Sequence, residues 1–174
     1  MSEVEDVWDS MSERVVDMIT FSLRDTKNAK VFVEAKTAIH TFIRTLESFE
    51  FSVSRLNALV LSFFRRFAQL LRERFAADFQ QAIREAQHQP MIVNDATELA
   101  KVLSVCWLKP GEAEQLGKQP FPLSLPFSQT YPLCCMDIRS LVEQYYSFSQ
   151  GMTQYHQEID AILSQSLDDL LIQL

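Results

Sequence analysis

SVSRLNALVLSFFRRFAQLLRERFAADFQQAIREAQ, residues 52–87, repeats its apolar side chains in steps of three and four. Val53, Leu56, Val60, Phe63, Phe67 and Leu70 form one stripe, which drifts onto Leu71, Phe75, Phe79 and Ile83, while Leu59 and Phe64 widen it. That spacing is the period of an α-helix, and a stripe this broad requires more than one packing partner. With Ser52 as its cap, the segment predicts a single helix over 53–87, roughly 52 Å long at 1.5 Å per residue. It is the expected central helix of an all-α fold.

The flanking sequence supplies the partners. Upstream, Val4, Trp8, Met11, Val15 and Met18 align on one face of a helix over 3–25. Asn28 can cap a second helix over 29–50, in which Phe32, Ala35, Ile39, Phe42, Leu46 and Phe49 recur in the a/d rhythm of lengthwise packing. The short connection near 25–27 favours antiparallel neighbours. Downstream, Gln87-His88-Gln89-Pro90 ends the long helix, and Asp95 can cap a short one over 96–106 with Leu99, Val102 and Leu103 facing inward. Residues 107–127 form a long connection. Within it Phe121, Leu123, Leu125 and Phe127 alternate among Pro120, Pro122 and Pro126, which predicts an extended strap across the bundle and argues against a central strand. From Ser128 onward Ile138, Leu141, Tyr145, Phe148, Met152, Tyr155, Ile159 and Ile162 keep their phase through Gly151, so one helix over 129–172, bent near that glycine, is expected. The predicted architecture is an elongated antiparallel helical bundle: four long helices, one short helix and a proline-rich strap, forming one module over 1–174.

Composition narrows the class. The chain has 174 residues, 47% apolar and 22% charged, with only three glycines and six prolines, which excludes disordered, collagen-like and disulfide-scaffold proteins. A net charge of −7 argues against nucleic acid as a partner, because phosphate contacts need clustered Lys and Arg. The acidic start Met1–Asp6 has no secretory pattern, and the longest apolar run, Ala58–Leu61, falls far short of the ~20 residues a membrane span needs. No transmembrane segment is expected. Cys106, Cys134 and Cys135 are an odd count without zinc spacing, and read as buried thiols of a cytoplasmic protein.

Little in the chain suggests chemistry. Gly111, Gly117 and Gly151 are isolated, so no phosphate-cradling loop exists. Glu85 and His88 have the i, i+3 spacing of di-iron bundles, but that site needs a second copy and two further carboxylates, so no metal or other cofactor is expected. His40, His156 and the three cysteines sit in no activating context, and the chain is read as a non-enzyme without catalytic residues. Two surfaces stand out. Arg65, Arg66 and Arg72 lie on a helix with six arginines against three acids, and form either a docking face for an acidic partner or anionic lipid, or a solvated helix face. The chain also stops at Leu170-Leu171-Ile172-Gln173-Leu174, inside an apolar pattern and without a cap. Leu167, Leu170, Leu171 and Leu174 are the expected stacking end for more of a longer chain; the alternative is a terminal helix docked to its last residue.

Phe121-Pro122-Leu123-Ser124-Leu125-Pro126-Phe127-Ser128, then Pro132, Phe148-Ser149, Glu158-Ile159-Asp160 and Leu170-Leu171, resemble the middle region of the Sec-fifteen subunit of the exocyst, the complex that tethers secretory vesicles. Val7-Trp8, the run from Phe51 to Leu56, and Pro90 to Val93 fall in the same order as in that family. Ala161, Ser164, Gln165 and Ser166 stand where the family pattern is basic, marking a distant relative. The resemblance implies a piece of the helical rod of a tethering complex, and a scaffold role in tethering secretory vesicles to the plasma membrane before fusion. It further implies membership of a Rab GTPase effector, with the Sec-ten subunit as partner and the GTPase contact mainly beyond Leu174, so no contact residue is carried over for it. It also implies recruitment from the cytoplasm to vesicles and sites of exocytosis. The residues alone leave one alternative, a free-standing helical adaptor using Arg65, Arg66 and Arg72.

Overall fold

The computed structural model describes residues 3–86 and 88–172. Its chain order is α1 (Glu3–Leu23), α2 (Ala29–Ser48), α3 (Ser54–Glu85), β1 (Ile92–Val93), α4 (Ala96–Val105), α5 (Glu112–Gly117), β2 (Leu123–Ser124), α6 (Thr130–Ser149), a 3-10 turn (Thr153–Tyr155) and α7 (His156–Leu171). The helix starts follow local chemistry. Asn28 Oδ1 accepts the Lys30 amide at 3.0 Å, and Asp95 Oδ1 accepts the Glu98 amide at 2.8 Å while Glu98 Oε2 reaches back to the Asn94 amide. The acids Glu3, Glu5 and Asp6 fill the first turn of α1, where they oppose the positive end of the helix dipole.

The described chain, expected as one module, packs as two compact units: residues 3–73 with 147–169, and residues 74–86 and 88–146 with 170–172. In the first, the core face of α2 is Phe32, Lys36, Ile39, Ile43 and Leu46. The face of α3 that meets it is as broad as its sequence required, with Leu56, Val60, Phe63, Phe64 and Phe67 all buried. Phe148 stacks on Phe67 with ring centroids 4.6 Å apart and leans on Phe64 at 5.5 Å, while Phe32 meets Phe63 edge-on. Burying an aromatic side chain of this size stabilises the fold by about 1.5–3 kcal/mol. Met152, Ile159 and Leu163 complete this core.

The expected long last helix is interrupted. α6 ends at Ser149, Gly151 adopts a left-handed φ of +82°, and α7 begins at His156. The apolar phase survives because the turn returns Met152 and Ile159 to the core, so periodicity alone could not reveal the break. Lys36 secures the junction, its ammonium donating to the Gln150 carbonyl at 2.7 Å and lying over the Phe148 ring.

In the second unit the strap is only partly extended. Gly111, at φ +84°, opens the short helix α5 within the span expected to be straight. The remainder pairs in register with the segment after α3: Ile92 opposite Ser124 and Val93 opposite Leu123, extended by Leu125 N–H to Met91 O at 2.8 Å and Met91 N–H to Phe127 O at 2.9 Å. Pro122 and Pro126 flank this two-residue strand, where a missing donor is tolerated. Leu123 and Leu125 are indeed inward, but they close a small core with Val93, Leu99, Val102, Cys106 and Leu116 instead of lying across a bundle. Phe121, the first of the alternating set, is exposed.

α1 also departs from expectation. Val4, Met11 and Met18, read as its inward face, are 61%, 54% and 64% exposed. Trp8 and Val15 of that expected face do point inward, and the helix docks through them together with Ser12, Ile19 and Leu23, all buried or half-buried. Trp8 sets this orientation, its indole N–H donating to Ser52 O at 2.8 Å while its ring packs on Phe42 and Phe51.

Candidate protein interface

Arg65, Arg66 and Arg72 fall on the part of α3 that belongs to the first unit, and the structure divides their roles. Arg72 Nη1 donates to Asp169 Oδ2 at 2.6 Å across to α7, and the other oxygen of Asp169 accepts from Gln165 at 2.8 Å. Both partners of the ion pair are about one-third exposed, so Arg72 is a structural clamp. Arg66 donates to Gln69, which passes the contact on to Glu73. Arg65 is exposed, and among the described residues no carboxylate pairs with it. Between α3 and α7 lies a shallow, mostly apolar groove of about 310 Å³, lined by Arg65, Ala68, Arg72, Ala161, Ile162 and Gln165 among others. This groove could seat a short apolar side chain from a partner whose acid reaches Arg65.

The expected stacking end separates into two faces. Leu170 is 1% exposed, part of the core, because α7 is still helical and turns that position inward. Leu167 is half-buried, Leu171 and the neighbouring Ile172 are exposed at 56% and 83%, and Leu174 lies outside the described residues. The outward patch is therefore Leu171 with Ile172, and Leu170 is corrected to a core position.

Residues weighed for chemistry are dispersed. Glu85 accepts from Gln81, His88 is exposed, and among the described residues no three His, Cys, Asp or Glu side chains are placed to hold a metal. His156 Nδ1 faces Thr153 O at 3.1 Å at the start of α7. His40 packs on the junction, and burial, with Lys36 and Arg44 adding to it and Glu47 opposing, holds its pKa below the ordinary value. Cys106 and Cys135 meet inside the second unit; burial first, then Cys135, pushes the Cys106 thiol up, which disfavours the nucleophilic thiolate.

Sequence reasoning missed a cleft of about 880 Å³ in the second unit, lined by Asp78, Glu85 and Glu98 with Met91, Ile92 and Leu133. The i, i+7 spacing of Asp78 and Glu85 was its one signal. Burial, with the charge of Asp78 added, raises the nearby Asp137 above its ordinary pKa, while Arg74 opposes. Among the described residues no helix is long and apolar enough to cross a membrane.

Comparison with known proteins gives one consistent result. Residues 55–174 match the family model described as exocyst complex subunit Sec15 C-terminal. Along nearly its whole length the chain is similar to exocyst complex component SEC15 of Saccharomyces cerevisiae, 24% identical over 97% of this chain and 19% of that protein. The Schizosaccharomyces pombe sec15 component is 27% identical over 84% of this chain and 18% of its own length, and exocyst complex component 6 of Rattus norvegicus 24% over 98% and 21%. The chain thus spans about a fifth of the length of the curated relatives it matches. No solved structure matches it significantly.

Proposed function

From the premise that this chain belongs to the Sec15 family of exocyst complex subunits, we propose that it is a helical scaffold module of such a subunit. The family match over residues 55–174 carries this reading, and the geometry supports it: Arg65 on α3 and Leu171 and Ile172 at the end of α7 are exposed and available to neighbouring chains. The module works by presenting rigid helix faces to neighbouring subunits during the tethering of secretory vesicles to the plasma membrane. Its nearest partner is the Sec-ten subunit, and the Rab-type GTPase is engaged mainly by chain beyond this segment, so that the assembly acts as a Rab effector recruited from the cytoplasm. Leu171 and Ile172, at the outward side of α7, are the stacking end for further helices of the subunit, and Arg65 with the α3–α7 groove is a second contact face.

Capture from cytosol tests the reading. The tagged chain is expected to recover other exocyst subunits, and Leu171→Asp to reduce that recovery. Capture of unrelated proteins without any exocyst subunit, through a face abolished by Arg65→Glu, would replace it with the free-standing adaptor.

A further inference from the structure

Helix α1 has two apolar stripes and uses one. Its docked side is pinned by the Trp8 indole and by Arg55, which bridges Asp9 at 3.0 Å and Glu13 at 3.5 Å. The rotation of the helix is thereby fixed, and the other stripe is held outward: Val4, Val7, Met11, Met18 and Phe21, each between 54% and 66% exposed. Their spacing is three, four, seven and three, with Arg14 occupying the one remaining position of an unbroken three-four alternation. That is the seam of a coiled coil, continued over the full length of a 21-residue helix. Isolated exposed apolar residues are ordinary; five in heptad register on one helix are a contiguous patch.

Charge selects the occupant. α1 holds six acids against Arg14 alone, and Glu3, Asp6, Ser10, Glu13 and Asp17 run as an exposed row along one border of the seam. A second copy of α1 would bring two such rows together, and an anionic lipid surface would be repelled by the same charges. We propose that this seam docks an amphipathic helix of a partner protein, one whose own apolar heptad stripe is flanked by Lys or Arg and which offers a carboxylate or amide opposite Arg14. The site shares no residue with the arginine groove and its test involves no exocyst subunit, so it stands apart from the family-based reading.

Two labelled synthetic helices, each as long as α1 with leucine at the seam positions, are the probes. One carries lysine at the flanking positions and the other glutamate. Fluorescence anisotropy with the intact chain is expected to show the lysine helix binding at least ~10-fold tighter than the glutamate helix, with the preference shrinking as salt screens the flanks. The Met11→Ser, Met18→Ser double variant, which changes two outward residues and whose fold is checked by circular dichroism, is expected to weaken the lysine helix by at least ~10-fold. The proposal is overturned by equal binding of the two helices to the unaltered chain, or by undiminished binding to the double variant. It is equally overturned by sedimentation at neutral pH showing a dimer that the double variant abolishes, or by adsorption of the intact chain to phosphatidylserine vesicles, lost in the double variant, as tight as the lysine helix binds.

Discussion

Glu50 stands where a helix end asks for glycine. At the end of α2 its backbone takes φ +63°, while the Glu50 amide donates to Glu47 O at 3.0 Å and the Phe51 amide to Leu46 O at 3.1 Å, the paired bonds of a Schellman motif. A side chain in that conformation strains the turn, so Glu50→Gly is expected to stabilise the fold by about 0.5–1 kcal/mol, read from urea unfolding. Asp137 is the second residue with a defined consequence. Its pKa is raised by burial and by Asp78, so the folded chain holds the proton more tightly than the unfolded chain. The associated stability is complete below the ordinary carboxylate range and is lost as pH climbs through the raised value. Asp137→Asn is therefore expected to melt above the parent chain at neutral pH, with the gap closing on acidification. Equal melting temperatures at pH 7 would count against the assignment.

Among the elements, α2, α3 and α4 were legible to within a few residues, because caps at Asn28 and Asp95 and broad apolar faces leave little choice. Three features were not. The gap between α6 and α7 hides in an unbroken apolar phase, and only a left-handed backbone reveals it. Gly151→Ala is expected to cost about 1–2 kcal/mol, since a Cβ there is strained by φ +82° and would sit 2.8 Å from His40 Cε1. The inward side of α1 was only partly legible, right at Trp8 and Val15 and wrong at Val4, Met11 and Met18, because the helix is apolar on two faces and a hydrogen bond from Trp8 to a carbonyl 44 residues away decides between them. Of the terminal leucines, sequence could not separate core from surface. Leu170→Ala is expected to destabilise by about 2–5 kcal/mol, whereas Leu171→Ser changes stability by less than about 0.5 kcal/mol, compared by thermal unfolding. On the candidate site, Arg65 and Arg66 could be read as surface from their position on α3, but the capture of Arg72 by Asp169 joins residues 97 apart and leaves no local trace.

For the molecule as a whole, charge and apolar exposure pull in opposite directions. The net charge of −7 keeps copies apart at neutral pH, while the outward stripe of α1 and the Leu171–Ile172 patch would draw them together. Near the isoelectric point of about 5.0 the repulsion vanishes. Light scattering is expected to rise steeply there, and to rise less for the Met11→Ser, Met18→Ser variant; scattering indifferent to those substitutions would assign the association elsewhere. Family membership was readable from the proline-bearing segment, yet the partition of the described residues into two compact units was not, because α3 and the α6–α7 region each contribute to both.

The indole that orients α1 also makes that helix visible. Trp8 loses both its aromatic neighbours and its carbonyl acceptor if α1 lifts away, so its emission should move to longer wavelength, while Trp107, 48% exposed in the other unit, supplies a steady background. The chain is thus born with an optical gauge of whether its first helix stays seated, and detachment could be followed in real time without attaching any dye to it.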